Sequence, residues 1–299
     1  MMFQNTDINF VSFGEVLFDV FGDEKKIGGA PLNIALRLNS FGFPVAVISA
    51  VGKDEDGSQL LSFMKEKGVN TEAVSEVENL QTGKVLVSLD KNGCATYDIK
   101  KSVAWDAIAY SDKISNICKT SNVLIYGSLA SRDTVTRNTL LKILKDHKLI
   151  KVFDVNLRPP HYDIETLNSL MLHADLIKFN EEEIEEITQN DFSIEVTMEE
   201  KMKFIAKKAK AKAVCVTKGG NGAVLFYEGK FYYNEGYKVT LVDTVGAGDS
   251  FLGALIGHLL TENSPQESLD FACAVGGVVA GSFGANPDIT IEKVKEIMV

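Results

Sequence analysis

The chain has 299 residues, 45% of them hydrophobic and 24% charged, a composition ordinary for a globular protein large enough to bury a sizeable core. A formal net charge of −10 disfavours nucleic acid as a partner, and no apolar run is long enough for a membrane span. Residues 1–9 lack a basic stretch followed by an apolar one, so no export signal is read and the expected location is cytoplasmic.

Ile8 to Phe13 alternates apolar and polar residues and runs into Gly14-Glu15 as a first strand. Val16 to Phe21 is again strand-like, with Asp19 among apolar neighbours, either an outward edge residue or a ligand-binding carboxylate. Gly28-Gly29-Ala30-Pro31 leads into a helix with Asn33 in its first turn, stopped by Gly42 and Pro44. Val45 to Val51 is a buried strand, and Gly52 to Gly57 a turn before a helix from Gln59 to Lys67. Lys84 to Leu89 and Ala95 to Ile99 flank Lys91-Asn92-Gly93, a hairpin whose Asn-Gly supplies the positive φ angles of a tight turn. These strands do not alternate with helices, which suggests a small sheet beside the main one, acting as a lid. Trp105, the only tryptophan, either packs the lid base or turns its edge to a small polar ligand.

From Val123 to Phe179 strands and helices alternate, implying a parallel sheet with helices on both faces. Ligands of such sheets bind at the carboxyl ends of the strands, which selects Gly127, Asp154 to Arg158 and Asn180 to Glu183 as one rim. Asn180 to Glu183 also satisfies a helix-capping pattern. Ala213 to Thr217 ends another strand, and Lys218-Gly219-Gly220-Asn221-Gly222 turns back into a hairpin from Val224 to Tyr233.

Tyr237 to Val242 reads as a buried strand leading through Gly246-Ala247-Gly248 into a helix marked by Phe251, Leu252, Ala254, Leu255 and Leu259. The unpaired N–H groups of such a helix start attract an anion, and the two glycines admit a phosphate closely. Asp249 in that first turn is either a dipole-stabilised acid, worth about 0.3–1 kcal/mol, or a base beside a transferring phosphoryl group. A dinucleotide fingerprint fails, because its third glycine would fall on Phe251, and no Gly-x-x-x-x-Gly-Lys-Ser/Thr loop exists. Ser264-Pro265-Gln266-Glu267 is a capping box opening a further helix. Cys94, Cys118, Cys215 and Cys273 are widely spaced and read as reduced, mostly buried small hydrophobes, and the four histidines fall in no motif. With no repeat or linker, residues 1–299 are expected to form one domain with a lid from segments about 16–27 and 82–104.

Gly28-Gly29-Ala30-Pro31-Leu32-Asn33-Ile34-Ala35 with Gly42 and Gly52, and Asp243-Thr244-Val245-Gly246-Ala247-Gly248-Asp249 with Gly253-Ala254, resemble the two signatures of the PfkB, or ribokinase-like, carbohydrate kinases. The resemblance covers essentially the whole chain. It implies a three-layer α/β sandwich with a small β-sheet lid, and phosphorylation of a small sugar by ATP with magnesium. Asp249 would be the base, with the amides of Gly246, Ala247 and Gly248 as the anion hole. Asp19, Gly28, Gly29 and Asn33 would hold the sugar. Asn180-x-x-Glu183 matches the family's magnesium-associated motif, acting largely through water. Thr217, Gly219 and Gly222 match its nucleotide loop, to which Gly248 adds. Asp243, the Val245 backbone and Gly284 would lie at a monovalent-cation site that takes potassium; after it, where many members carry a small residue, this chain has Asn286-Pro287-Asp288.

Within the family, Gly14 to Asp19 and Asp154 to Pro160 look most like bacterial fructokinases. Arg158 either meets the substrate or transferring phosphate or forms a salt bridge to Asp154 or Glu15. The expected reaction is D-fructose to fructose 6-phosphate. Ribose, 2-keto-3-deoxygluconate or a nucleoside is the alternative substrate, and a sugar-sensing binding protein the non-enzyme alternative. Lid strands in this family often pair between subunits, so a homodimer through the lid is a further expectation.

Overall fold

A computed structural model describes residues 7–89, 95–261 and 263–298. From β1 (Phe10–Phe13) the chain turns outward into β2 (Leu17–Phe21) and β3 (Glu24–Gly28), then returns through α1 (Ala30–Ser40) to β4 (Val45–Gly52). After α2 (Glu55–Glu66) and β5 (Val74–Val77) it leaves again as β6 (Gly83–Leu89) and β7 (Ala95–Ile99). Alternation resumes with α3 (Asp112–Thr120), β8 (Val123–Gly127), α4 (Thr134–Asp146), β9 (Ile150–Asp154), α5 (Ile164–Met171), β10 (Leu176–Asn180), α6 (Glu181–Thr188), α7 (Met198–Ala209) and β11 (Ala213–Thr217). The hairpin β12 (Ala223–Tyr227) and β13 (Lys230–Asn234) is followed by α8 (Ala247–Leu259), α9 (Pro265–Ala280) and α10 (Ile291–Ile297).

Among the described residues the main sheet has nine strands in the order β13-β12-β11-β10-β9-β8-β1-β4-β5, parallel except for the β12–β13 hairpin at one edge. The two-residue period of the strands divides the core between the faces. Phe10, Val45, Val47, Val123 and Ile125 pack under α1, α2, α8, α9 and α10, whereas Val11, Ala46, Ile48, Leu124 and Tyr126 pack under α3 to α7. A second sheet, β3-β2-β6-β7, stands apart. It is mixed: β2 pairs antiparallel with β3 and parallel with β6, and β6 antiparallel with β7. The expected Asn92-Gly93 turn and Cys94 lie outside the described residues, while Cys118, Cys215 and Cys273 are free and buried. No helix among the described residues is long and apolar enough to cross a membrane.

The expected strand from Tyr237 to Val242 does not form. That segment runs as irregular chain along α9, with the amides of Val242 and Asp243 both donating to the carbonyl of Ala280, and Leu241 is 66% exposed. Its β-branched residues carry strand preference only where a neighbouring strand offers a pleated surface, and here there is none. The second helix begins at Glu55 rather than Gln59, because Asp54 caps it by accepting the amide of Gly57 at 2.7 Å.

Candidate active site

The carboxyl ends of β1, β8, β9, β10 and β11 converge with the starts of α1 and α8. Gly246, which opens α8, has φ +75°, and a Cβ there would lie 2.6 Å from the carbonyl oxygen of Ala285. Only glycine meets both demands. No side chain caps this helix, although Asn180, Thr197 and Ser264 cap α6, α7 and α9. The amides of Gly246 and Gly248 are thereby left to an incoming anion, whereas that of Ala247 donates to the Thr244 carbonyl at 3.2 Å.

Asp249 sits in that turn, its Oδ2 accepting from Nδ2 of Asn33 at 2.8 Å. Asn33 is itself held by Nδ2 of Asn286, which donates to its Oδ1 at 2.7 Å. Burial pushes the Asp249 carboxyl up to about 6, helped by the charge of Asp154 and opposed by Asn33, Lys178 and Arg158.

The departure at Asn286 noted in the sequence therefore has a structural consequence: it buttresses Asn33. Arg37 was missed. It is 2% exposed and ties α1 to α8, donating from Nε to Ser250 Oγ and from Nη2 to the Pro287 carbonyl, each at 3.1 Å.

Lys178, on β10, was also missed. It is buried, its Nζ lies 3.0 Å from Asp154 Oδ1, and a Cβ on Gly248 would be 3.4 Å from that Nζ. A cation thus lies against the first turn of α8. Burial alone would lower its pKa, but Asp154 and Glu183 outweigh burial and hold it above the usual lysine range. The signal was available: a lysine among Leu176, Ile177 and Phe179 in a strand with neighbours on both sides has no solvent to reach. Glu15 is 3% exposed, and burial pushes its carboxyl up to about 7. Its Oε2 and Asp154 Oδ2 have no protein partner and both residues line one cavity of about 10 Å³, the size of a single water.

Asp19 lies half-buried on β2 against Gly28, where a Cβ would come within 2.4 Å of its Oδ2. Burial pushes Asp19 up to about 6, with the charge of Arg158 opposing. Gly29, φ +108°, caps α1 against the Glu15 carbonyl. Arg158 forms neither of the salt bridges considered for it, since Asp154 is paired with Lys178. Its guanidinium is exposed, bonded only to the Leu157 carbonyl, and its charge acts on Asp19, Glu15 and Asp249. Trp105 is corrected to a core residue: it is 1% exposed, its ring lies 3.9 Å beneath the Arg132 guanidinium, and its Nε1 faces Gly83.

Asn180 and Glu183 form a reciprocal capping box, each bond 2.8 Å, and the second Glu183 oxygen accepts the Leu157 amide at 2.9 Å. Glu183 thereby fixes the loop carrying Arg158. Its oxygens are engaged by backbone, which suits contact with a metal through water rather than direct ligation. Among the described residues no cluster of three or more His, Cys, Asp or Glu is arranged to cage a metal. Thr217 donates to the Phe179 carbonyl, Gly219 opens into free space, and Gly222 is pressed against Asn234, where a Cβ would collide at 2.0 Å. Asp243 brings together the residues expected at a cation site: its carboxylate accepts the amides of Val245 at 3.0 Å and Gly284 at 3.2 Å.

The frame of the site is thus a mostly parallel sheet with a second small sheet and a carboxylate in an uncapped helix start. Comparison with known proteins gives the family. Residues 2–292 match the pfkB family carbohydrate kinases, and the chain belongs to that family. It is 31% identical over 306 residues to a probable fructokinase-5 of Arabidopsis thaliana, covering 93% of each chain. A sugar kinase of Pyrococcus horikoshii superposes with TM-score 0.82 at 25% identity, covering 97% of this chain and 100% of that one. A Vibrio cholerae fructokinase solved with fructose, ADP and calcium shares the fold with TM-score 0.82 at 20% identity, covering 99% and 100%. The protein is a sugar kinase with a ribokinase-like fold.

Proposed function

We propose that this kinase transfers the γ-phosphate of ATP to the 6-hydroxyl of D-fructose, yielding fructose 6-phosphate and ADP. The observation that carries the reading is Asp249 in the first turn of an uncapped helix start, braced by Asn33. The names of the relatives favour fructose over ribose, 2-keto-3-deoxygluconate or a nucleoside. A sugar sensor would need no base at that position.

In this reading Asp19, Gly28, Gly29 and Asn33 orient the sugar, and Arg158 swings from its own loop towards the substrate or phosphate. Asp249 accepts the hydroxyl proton as the sugar oxygen bonds to phosphorus and the bond to the ADP oxygen breaks. A carboxylate with a pKa of about 6 is a weak base for an alcohol, so the proton moves late. The amides of Gly246 and Gly248 receive the developing negative charge, joined by that of Ala247 once it leaves the Thr244 carbonyl, with Lys178 beneath them. Thr217, Gly219 and Gly222 border the nucleotide. Magnesium on the phosphates, met through water by Asn180 and Glu183, would neutralise phosphate charge. The donor set at Asp243, Val245 and Gly284 is assigned to potassium. The small sheet closes over the sugar and excludes water. Leu86 and Tyr97 on its exposed strands, 37% and 55% accessible, support pairing with a second copy.

Phosphorus and carbon NMR of the product tests the reaction. Equimolar ADP and a phosphomonoester on fructose C6 are expected; phosphate on another position, or ATP hydrolysis without sugar phosphate, would overturn it.

A further inference from the structure

A cleft of about 330 Å³ opens between three loops, none of whose lining residues belongs to the site above. Lys101 and Asp106 come from the segment after β7, Arg132 and Asp133 from the approach to α4, and His161 from the approach to α5. Arg132 is 6% exposed and locked in place. Its Nε and Nη2 donate to the two oxygens of Asp106, each at 2.8 Å, Nη2 also reaches the Lys100 carbonyl, and its plane stacks on Trp105. Its Nη1 has no partner, and neither has the buried Nδ1 of His161. Leaving such a guanidinium nitrogen without an acceptor costs about 1–3 kcal/mol, which a ligand oxygen would recover.

Of the acids of the cleft, Asp106 is paired with a cation, while Asp133 and Asp163 accept from neutral donors. Asp106 is forked by Arg132, Asp163 accepts the amide and hydroxyl of Thr166, and Asp133 accepts the Val135 amide as a helix cap. Lys101 has no ion pair among the described residues and adds a second cation. We propose that this cleft binds a small oxyanion, a carboxylate or phosphate borne by a compact polar metabolite, through Arg132 Nη1, His161 and Lys101. The fork to Asp106 and the tryptophan stack hold the guanidinium in one geometry before the ligand arrives, so little side-chain entropy is lost on binding. His161 is held below the usual histidine range by burial first and then by Arg132 and Lys101, with Asp106 and Asp98 opposing, so its ring is neutral and can donate one N–H to an oxyanion.

The test is ¹⁵N-histidine NMR of the full chain, titrated separately with inorganic phosphate, glucose 6-phosphate and D-gluconate. His161→Asn assigns the ring signal among the four histidines. A saturable shift of the His161 ring, with those of His147, His173 and His258 unmoved, is expected for at least one anion. Lys101→Glu, on an exposed side chain, should weaken that anion about tenfold. Response to the two phosphates alone identifies a phosphate site, and response to gluconate alone a carboxylate site. A His161 signal unmoved by all three, or moved with equal affinity in Lys101→Glu, would overturn the proposal.

Discussion

Nδ2 of Asn33 donates to Oδ2 of Asp249 at 2.8 Å, joining the first turns of two helices across 216 positions of the chain. The bond orients the carboxylate and leaves its Oδ1 without a protein partner, turned to account as the proton acceptor in the proposed reaction. Because Asn286 holds Asn33 from its other side, three distant segments must dock before the base is aimed.

Asp249→Asn keeps the shape of that turn and removes the base. Turnover should fall by about 10²–10⁴-fold while sugar affinity, read by calorimetry, changes little. Turnover near wild type would refute the role given to Asp249.

The acid limb of kcat/KM, which reports the free enzyme, should lie near pH 6, since Asp249 must be ionised to accept a proton and its carboxyl sits at about 6. The Asn33 bond stabilises the ionised form, so Asn33→Ala should move that limb to higher pH. A limb unchanged in the variant, measured at sugar concentrations well below KM, would mean that another group sets it.

Lys178 and Asp154 are a buried pair, so removing one charge strands the other. Lys178→Met should cost about 3–5 kcal/mol in urea unfolding, and Lys178→Met with Asp154→Asn should recover much of it. Turnover should stay low in the double variant, because the cation beneath the α8 amides is still missing. Recovery of turnover together with stability would reduce Lys178 to a structural role.

Glu15 offers a stability test free of activity. Its folded pKa, about 7, is raised above the ordinary 4.5, so the folded state favours the protonated form. Its contribution is therefore fully present below pH 4.5 and is lost as pH rises through 7. Glu15→Gln cannot ionise, and its stability relative to wild type should be larger at pH 8 than at pH 5 by roughly 2–3 kcal/mol. An equal difference at both pH values would show that Glu15 is solvated.

Much of this site was legible before the structure. The spacing of Gly246, Gly248 and Asp249 before an apolar helix face encodes an anion-binding start, and Asn180 with Glu183 encodes its own cap. What escaped depends on registry. Lys178 gains its meaning only because β9 lies beside β10 and sets Asp154 opposite it. The strand β3 begins Glu24-Lys25-Lys26, a charged edge with no apolar alternation, and β5 has only Val74 to Val77 to announce it. Trp105 stood open between packing the lid base and turning its edge to a ligand; what decides for packing is the stacked Arg132, 27 positions on, counted from their numbers.

The most direct measurement is steady-state ADP production with ATP and magnesium against fructose, ribose, 2-keto-3-deoxygluconate and adenosine, alongside Asp249→Asn. The account predicts the highest kcat/KM for fructose and its loss in the variant. A higher kcat/KM for another acceptor would contradict the assigned substrate, and sugar-dependent turnover that survives in the variant would contradict the mechanism.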